Sequence, residues 1–553
     1  MKRQPMFVIC TMLLSACTIG PEDETATGPD GGGVDEGPVD ESDGGEDAAL
    51  ATRPPGCPSL NLKKDFGAKG DGVTNDTVAF QKAAARIQTA GCGELIIPAA
   101  TYIVGAQTVK TSPTASGPYY KHQPIFQVRD LSYLHIYAYG AKLRLKAGLH
   151  FGGFDKATGQ PVDVTGNQDY AAHVGRMIEV STSNNVIVEG GEYDGNNTKL
   201  VLGGQWGDKQ RQTYATGLWF DKCLNVLVRD VYTHHHGLDG VTVMHRHARP
   251  TKRLPHRLYR VISEYNGRQG LSWIGGWGLE VYDSKFNHTG RAINVGGGRD
   301  NGLPMYAAPG AGLDIEPNAG TVEMSRDGLF KRSEFVNNTG AGMLADVGDG
   351  GYTTFDDCTF WGTTGYSVWV KRPGIKFLNS RVYGTGVHVH NGSTDASPVP
   401  NAALATYFEN TLFEDKPWTD GKVKRSGSLY NVNAGQGQGV TWKNCTFRNH
   451  AVKAINATDD TTREVFDSCT FMHDNETLPS GAAQSTFAGS QLTSVRFRES
   501  TAIASGTRNY FIGVSNVRVV TPPTGAAATV VDGPRIHWDT PTGRTGTIAP
   551  GTY

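Results

Sequence analysis

The chain has 553 residues, with 52 Lys and Arg against 54 Asp and Glu, a net charge of −2, and 71 glycines. That balance gives no strongly basic surface, so no nucleic-acid partner is expected, and no apolar run is long enough to span a membrane. Eleven acidic and two basic residues fall in the first fifty, leaving 50 basic against 43 acidic in the rest, a mild excess that suits an anionic substrate.

Lys2 and Arg3 precede a short apolar run from Phe7 to Leu14, which ends in Leu14-Ser15-Ala16-Cys17. This is the pattern of a bacterial lipobox. Residues 1–17 are expected to be a lipoprotein signal peptide, and Cys17 the lipidated first residue of the mature chain. The protein would then be exported, as an outer-membrane or cell-surface lipoprotein or a secreted protein, touching membrane only through that anchor. Residues 18–56, rich in Gly, Asp, Glu and Pro, read as a disordered acidic linker.

Cys57 and Cys92 bracket the first folded segment, and an exported protein can pair them. Thr74-Asn75-Asp76-Thr77 is a helix N-cap signal, Ala79, Phe80, Ala83, Ala84 and Ile87 share one face, and Gly91 ends the pattern. This amphipathic helix is suited to covering the open end of a solenoid. Glu94 to Pro98 reads as the first buried strand.

From Gly217 onward a frame of Gly, apolar, x, apolar, x recurs at Gly217, Gly240, Gly270, Gly312, Gly342, Gly365 and Gly386. A second frame, apolar, x, x, small or polar, x, apolar, begins at Val281, Phe330, Phe355, Phe377, Trp442 and Phe466. The commonest step is in the low twenties, and alternation of period two inside each unit makes this a β-solenoid. Cys358, Cys445 and Cys469 share one position of the second frame and Cys223 lies in a similar turn, which reads as a column of buried thiols rather than metal ligands. The expected fold is all-β, a single-stranded right-handed parallel β-helix with an N-terminal capping α-helix, over residues 57–500. Residues 501–553 form a C-terminal β cap, with strands over 510–520 and 529–538.

DFGAKGDGVTNDTVAFQKA followed by GELIIPAATYIV resembles the opening of the pectate-lyase-like superfamily. The resemblance implies a right-handed parallel β-helix. It implies no single function, since rhamnogalacturonase-like and polygalacturonase-like hydrolases, lyases, epimerases and binding proteins share the fold.

Aligning strands on their glycines gives two outward columns. One reads Trp219, Thr242, Ser272, Asp314, Leu344, Ser367, His388; the next reads Asp221, Met244, Ile274, Glu316, Asp346, Trp369, His390. Coils stack about 4.8 Å apart, so Glu316 and Asp346 should be neighbours, with Asp314 one outward position away in the same solvent-facing groove. Like charges this close raise at least one pKa and separate an acid from a base, the equipment of glycosidic cleavage. Asp314, Glu316 and Asp346 are therefore the expected catalytic residues.

An insertion from Arg291 to Pro309 is expected to bring Arg291, Arg299 and Tyr306 towards Asp314, as clamps for sugar carboxylates. The basic stretch with His234, His235, His236, His245 and His247 offers further substrate contacts or a base. A His-x-His metal site there lacks an obvious third ligand. Arg268 is a clamp or base, and Trp277 a stacking platform, whereas Trp273 falls on the core side. Family motifs match loosely. No Asn-Thr-Asp or Arg-Ile-Lys is present, although Leu238-Asp239-Gly240 stands near the first; Asp356-Asp357 lies in a repeat turn, and Asp314-Ile315-Glu316-Pro317-Asn318 only resembles the Asp-Pro-His strand of alginate epimerases. The resemblance to pectate lyases implies a calcium site at Glu316 and Asp346 with Arg268 as base. The expected function is cleavage of an acidic polysaccharide by lyase or glycoside-hydrolase chemistry, as a monomer or β-helix trimer, with a uronate epimerase or a carbohydrate-binding adhesin as alternatives.

Overall fold

The computed structural model describes residues 51–414 except 208 and 385, and beyond 415 a series of shorter stretches ending at 551–552. The expected signal peptide, Cys17 and most of the expected linker lie outside the described residues. So does most of the C-terminal cap, where the expected strands are described only as Arg518–Val520 and Thr529–Val530.

Each turn of the chain adds one strand to each of three long sheets: I, of 15 strands, which includes Asn184–Glu189; II, of 12, which includes Leu218–Asp221; and III, of 15, which includes Glu192–Asp194. Strands pair in parallel with the strand one coil away, as at Glu192↔Tyr232 and Leu271↔Leu313. Parallel crossovers of this kind are right-handed. The chain is a right-handed parallel β-helix.

Alternation explains the core. Leu313 and Ile315 are buried inside, as are Trp273 and the phenylalanines of the second frame. Phe330, Phe355, Phe377 and Phe408 stack coil on coil with ring centroids 4.9, 5.1 and 4.8 Å apart. The corner between sheets I and III turns through left-handed residues such as Asp283, Arg332, Asp357 and Asn379. The next residue then points its Oγ or Sγ inward. Ser284 Oγ accepts from the Val261 amide at 3.0 Å and Ser380 Oγ from the Cys358 amide at 3.1 Å. Cys223 and Cys358 are buried thiols in this column, pushed up by burial to about 12, as inert packing groups rather than ligands.

The N-terminal helix spans Thr77–Ala90, with the expected face buried. Asp76 does not cap it. Its carboxylate accepts from the amides of Lys69 and Gly70 instead, while Asn75 Oδ1 accepts from the Thr77 amide. The helix closes the free edge of the first strand of sheet II, Phe126–Arg129. Gln88 donates to the Arg129 carbonyl and accepts from its amide, at 2.8 and 2.9 Å. Unpaired edge groups are thereby satisfied. Cys57 and Cys92 form a disulfide, with Cα atoms 5.4 Å apart.

The glycine register holds from Gly217 to Gly342. It then slips by two, because Gly342 is followed in register by Ser367, not Gly365: Leu344 pairs with Trp369, and Trp369 with His388. Gly365 lies in the turn before the strand. The residue beyond Asp346 in its column is Lys371, not Trp369.

Candidate active site

The five central strands of sheet II, Asp239–Met244, Gln269–Trp273, Ala311–Ile315, Met343–Ala345 and Val368–Val370, carry the acidic cluster. The pairing Asp314↔Leu344 and Ile315↔Ala345 sets Glu316 opposite Asp346, as the glycine spacing requires.

Asp314 does not face open solvent as expected. It is only 1% exposed, because Gln269 lies across it. The Gln269 amide nitrogen bridges two carboxylates, 2.5 Å from Asp314 Oδ2 and 3.0 Å from Glu316 Oε1. Ser272 donates to the same Glu316 oxygen at 3.0 Å, and Arg268 stands 3.6 Å from it. Burial pushes the Asp314 carboxyl well above the usual carboxylate range. The charges of Glu316 and Asp346 push it further, and Arg268 offsets only part of this. The Asp314 carboxyl is thus biased towards its protonated form. Its Oδ1 has no hydrogen-bond partner among the described residues. Asp346 is likewise raised by burial; Lys371 opposes the shift and Glu316 adds to it. Glu316 retains 23% side-chain exposure, so it and half-buried Asp346 form the accessible part of the cluster.

Arg268 is not available as a base. It makes two 2.9 Å bonds to the two oxygens of buried Asp239, which Thr242 also reaches at 3.1 Å. Burial alone would lower the Arg268 pKa, but the charges of Asp239 and Glu316 outweigh it, so the guanidinium stays a fixed cation. Nor do the donors fit a calcium ion at Glu316 and Asp346. An amide nitrogen and a guanidinium occupy the approach to Glu316, and Lys371 follows Asp346 in its column; calcium takes anionic and carbonyl oxygens.

The other expected binding residues go elsewhere. Arg291 is turned away from Asp314, to the carbonyls of Asn337 and Asn338 and the hydroxyls of Thr363 and Thr364. Arg299 pairs with Asp163. The reason is main-chain pairing: the insertion docks back on earlier coils, through Val295 to Thr198 and Arg299 to Leu202, both at 2.8 Å. Tyr306 packs over Gly290 and Gly310. His245 is buried, which lowers its pKa, and His247 is exposed with its amide on Glu323. Neither makes a hydrogen bond or ion pair to the three acids. Trp277 belongs to sheet I, in register with Arg326, and its indole N–H donates to Asp327.

Sequence reasoning missed Gln269. Counted from Gly270 it should share the core side with Leu271, but as the first residue of its strand it escapes the alternation. Arg268 and Asp239 flank consecutive frame glycines, and their spacing was the available signal for the ion pair.

Strand pairing and site together define the class: a right-handed parallel β-helix with a buried acid cluster on one sheet. No family model and no curated protein matches the chain. Among solved structures, it is similar to the A-module of mannuronan C-5 epimerase AlgE6 of Azotobacter vinelandii, at 16% identity over 81% of this chain and 100% of that one, with a TM-score of 0.40. It is also similar to the catalytic unit of the GH87 alpha-1,3-glucanase of Streptomyces thermodiastaticus (12%, 89% and 71%, TM-score 0.33). A third is PfbA, a surface adhesin of Streptococcus pneumoniae (10%, 89% and 95%, TM-score 0.34). The fold itself is established by the strand pairing.

Proposed function

We propose that the chain is a polysaccharide-cleaving enzyme of glycoside-hydrolase type, with Glu316 and Asp346 as the reacting pair. The observation that carries this reading is the division of labour among the acids. Asp346 is raised towards the protonated form, while the adjacent Glu316 is met by three donors, from Gln269, Ser272 and Arg268. One carboxyl able to donate a proton beside one positioned to accept or attack is what glycosidic cleavage needs. Asp314, beside Glu316, is a positioning residue that shares the Gln269 amide with it. Arginine-based elimination is disfavoured because Arg268 is held by Asp239.

The substrate is proposed to be an acidic polysaccharide, with Lys371, beside Asp346, as a cationic contact. The protein is proposed to act outside the cytoplasm, anchored at Cys17; the Cys57–Cys92 disulfide suits an oxidising compartment. Loss of the protein from the membrane fraction in Cys17→Ser would support the anchor, and retention would refute it.

The deciding experiment is a panel of pectin, alginate, glycosaminoglycans and neutral glucans, assayed for reducing ends and for ultraviolet absorbance. New reducing ends without absorbance, abolished by Glu316→Gln, support hydrolysis. Matching absorbance would instead mean elimination, and neither signal would point to an epimerase or a binding protein.

A further inference from the structure

Sheet III carries a second cluster of chemistry-bearing side chains, built on different coils from the acids of sheet II. Asp194 and His234 are paired in register on neighbouring strands and are both buried. His235 follows His234 in the left-handed conformation, at φ 56°, which turns its ring back towards its neighbour. One donor atom from each of Asp194, His234 and His235 lies within 4.8 Å of the others.

The surroundings prepare these atoms as ligands. Glu192 Oε1 lies 3.0 Å from His234 Nε2. A carboxylate accepts, so Nε2 carries the ring proton and Nδ1 presents its lone pair. That Nδ1 faces His235 Nδ1 at 2.6 Å and Asp194 Oδ1 at 3.9 Å. Asp194 is anchored through its other oxygen, with Arg144 Nε at 2.8 Å and Lys142 Nζ at 3.4 Å from Oδ2. Oδ1 receives only the Asn196 amide, at 2.9 Å, and keeps a lone pair. His235 stacks on Tyr265 at 5.1 Å.

We infer that Asp194, His234 and His235 form a binding site for a divalent transition-metal ion of the zinc class. Two imidazole nitrogens and one carboxylate oxygen are a three-ligand zinc set with a fourth position open. Glu192, Arg144 and Lys142 supply the outer hydrogen bonds that orient such ligands. An ion bonded at about 2.0–2.1 Å needs its ligand atoms spread to about 3.3 Å. A small swing of the half-buried His235 ring would widen its 2.6 Å separation from His234, and a slight approach of Asp194 Oδ1, now 3.9 Å from His234 Nδ1, would complete the set. No His-x-His spacing is involved: the two histidines are adjacent, and the third ligand comes from the coil before.

The test is zinc binding to the full chain after removal of metals by a chelator, followed by calorimetry and by the visible absorption of bound Co²⁺. One ion per chain is expected. His234→Gln and His235→Asn should each weaken binding by more than about 100-fold, and Glu192→Gln by about 10–100-fold. Asn tolerates the left-handed backbone at position 235, so that variant remains informative should His234→Gln misfold. Glu316→Gln, on sheet II, should bind zinc as the parent does. Failure of the parent to bind zinc at micromolar concentration, or parent-like binding by His235→Asn, would overturn the site whatever the fate of the proposed glycosidase activity.

Discussion

Asp194 on sheet III and Asp314 on sheet II are both buried aspartates on parallel strands, yet their carboxyls are displaced in opposite directions. For Asp194 burial favours the neutral form, but His234 and the hydrogen bond from Arg144 outweigh it and hold the group below its usual range. For Asp314 burial and the neighbouring acids drive it up, and Arg268 offsets only part of the shift. The difference lies in the column. Arg144 and His234 are in register on either side of Asp194, whereas Ser272 and Leu344 flank Asp314. In a β-helix the residue one coil away, about 4.8 Å distant, decides what burial does to a charge.

The largest expected effect tests whether the acid cluster of sheet II is the working one. Glu316→Gln should lower turnover about 10²–10⁴-fold, with an unchanged circular dichroism spectrum. Comparable loss from Asp194→Asn and none from Glu316→Gln would reverse the assignment of the two clusters. In metal-free buffer at pH 7, Asp194→Asn should instead cost about 1.5–3 kcal/mol of stability, since it strips Arg144 and Lys142 of a charged partner; chemical denaturation measures this.

Two smaller effects sharpen the contrast. Lys371 is the main cation opposing the raised Asp346, so Lys371→Met should move the alkaline limb of the activity profile up by about one pH unit. A limb that stays put would remove Asp346 as the acid. Asp314→Asn should stabilise the fold by about 1 kcal/mol at pH 7. The sign follows from linkage: a carboxyl whose folded pKa is raised contributes fully below its unfolded value of 3.8 and loses that contribution as pH rises towards the folded value. The advantage of Asn should therefore vanish near pH 4, and thermal melts across that range would show it. The smallest effect expected is none: a calcium chelator should leave the initial rate unchanged, and a collapse restored by added calcium would show that the acids hold the ion after all.

The sequence alone determined the solenoid, the end-covering helix, the inward side of Leu313, Ile315 and Trp273, and the adjacency of Glu316 and Asp346. All of these follow from local rules: two-residue alternation, helical spacing and a repeated glycine. The tertiary structure alone decided that Gly365 is a turn residue, that Arg291 and Arg299 are drawn off to Asn337 and Asp163, and that Gln269 roofs over Asp314. It also joined Asp194 to His234 and His235, forty residues apart along the chain. Corner lengths and the docking of insertions depend on which distant backbone groups need partners. That is settled only when the coils close on one another, and periodicity carries no record of it.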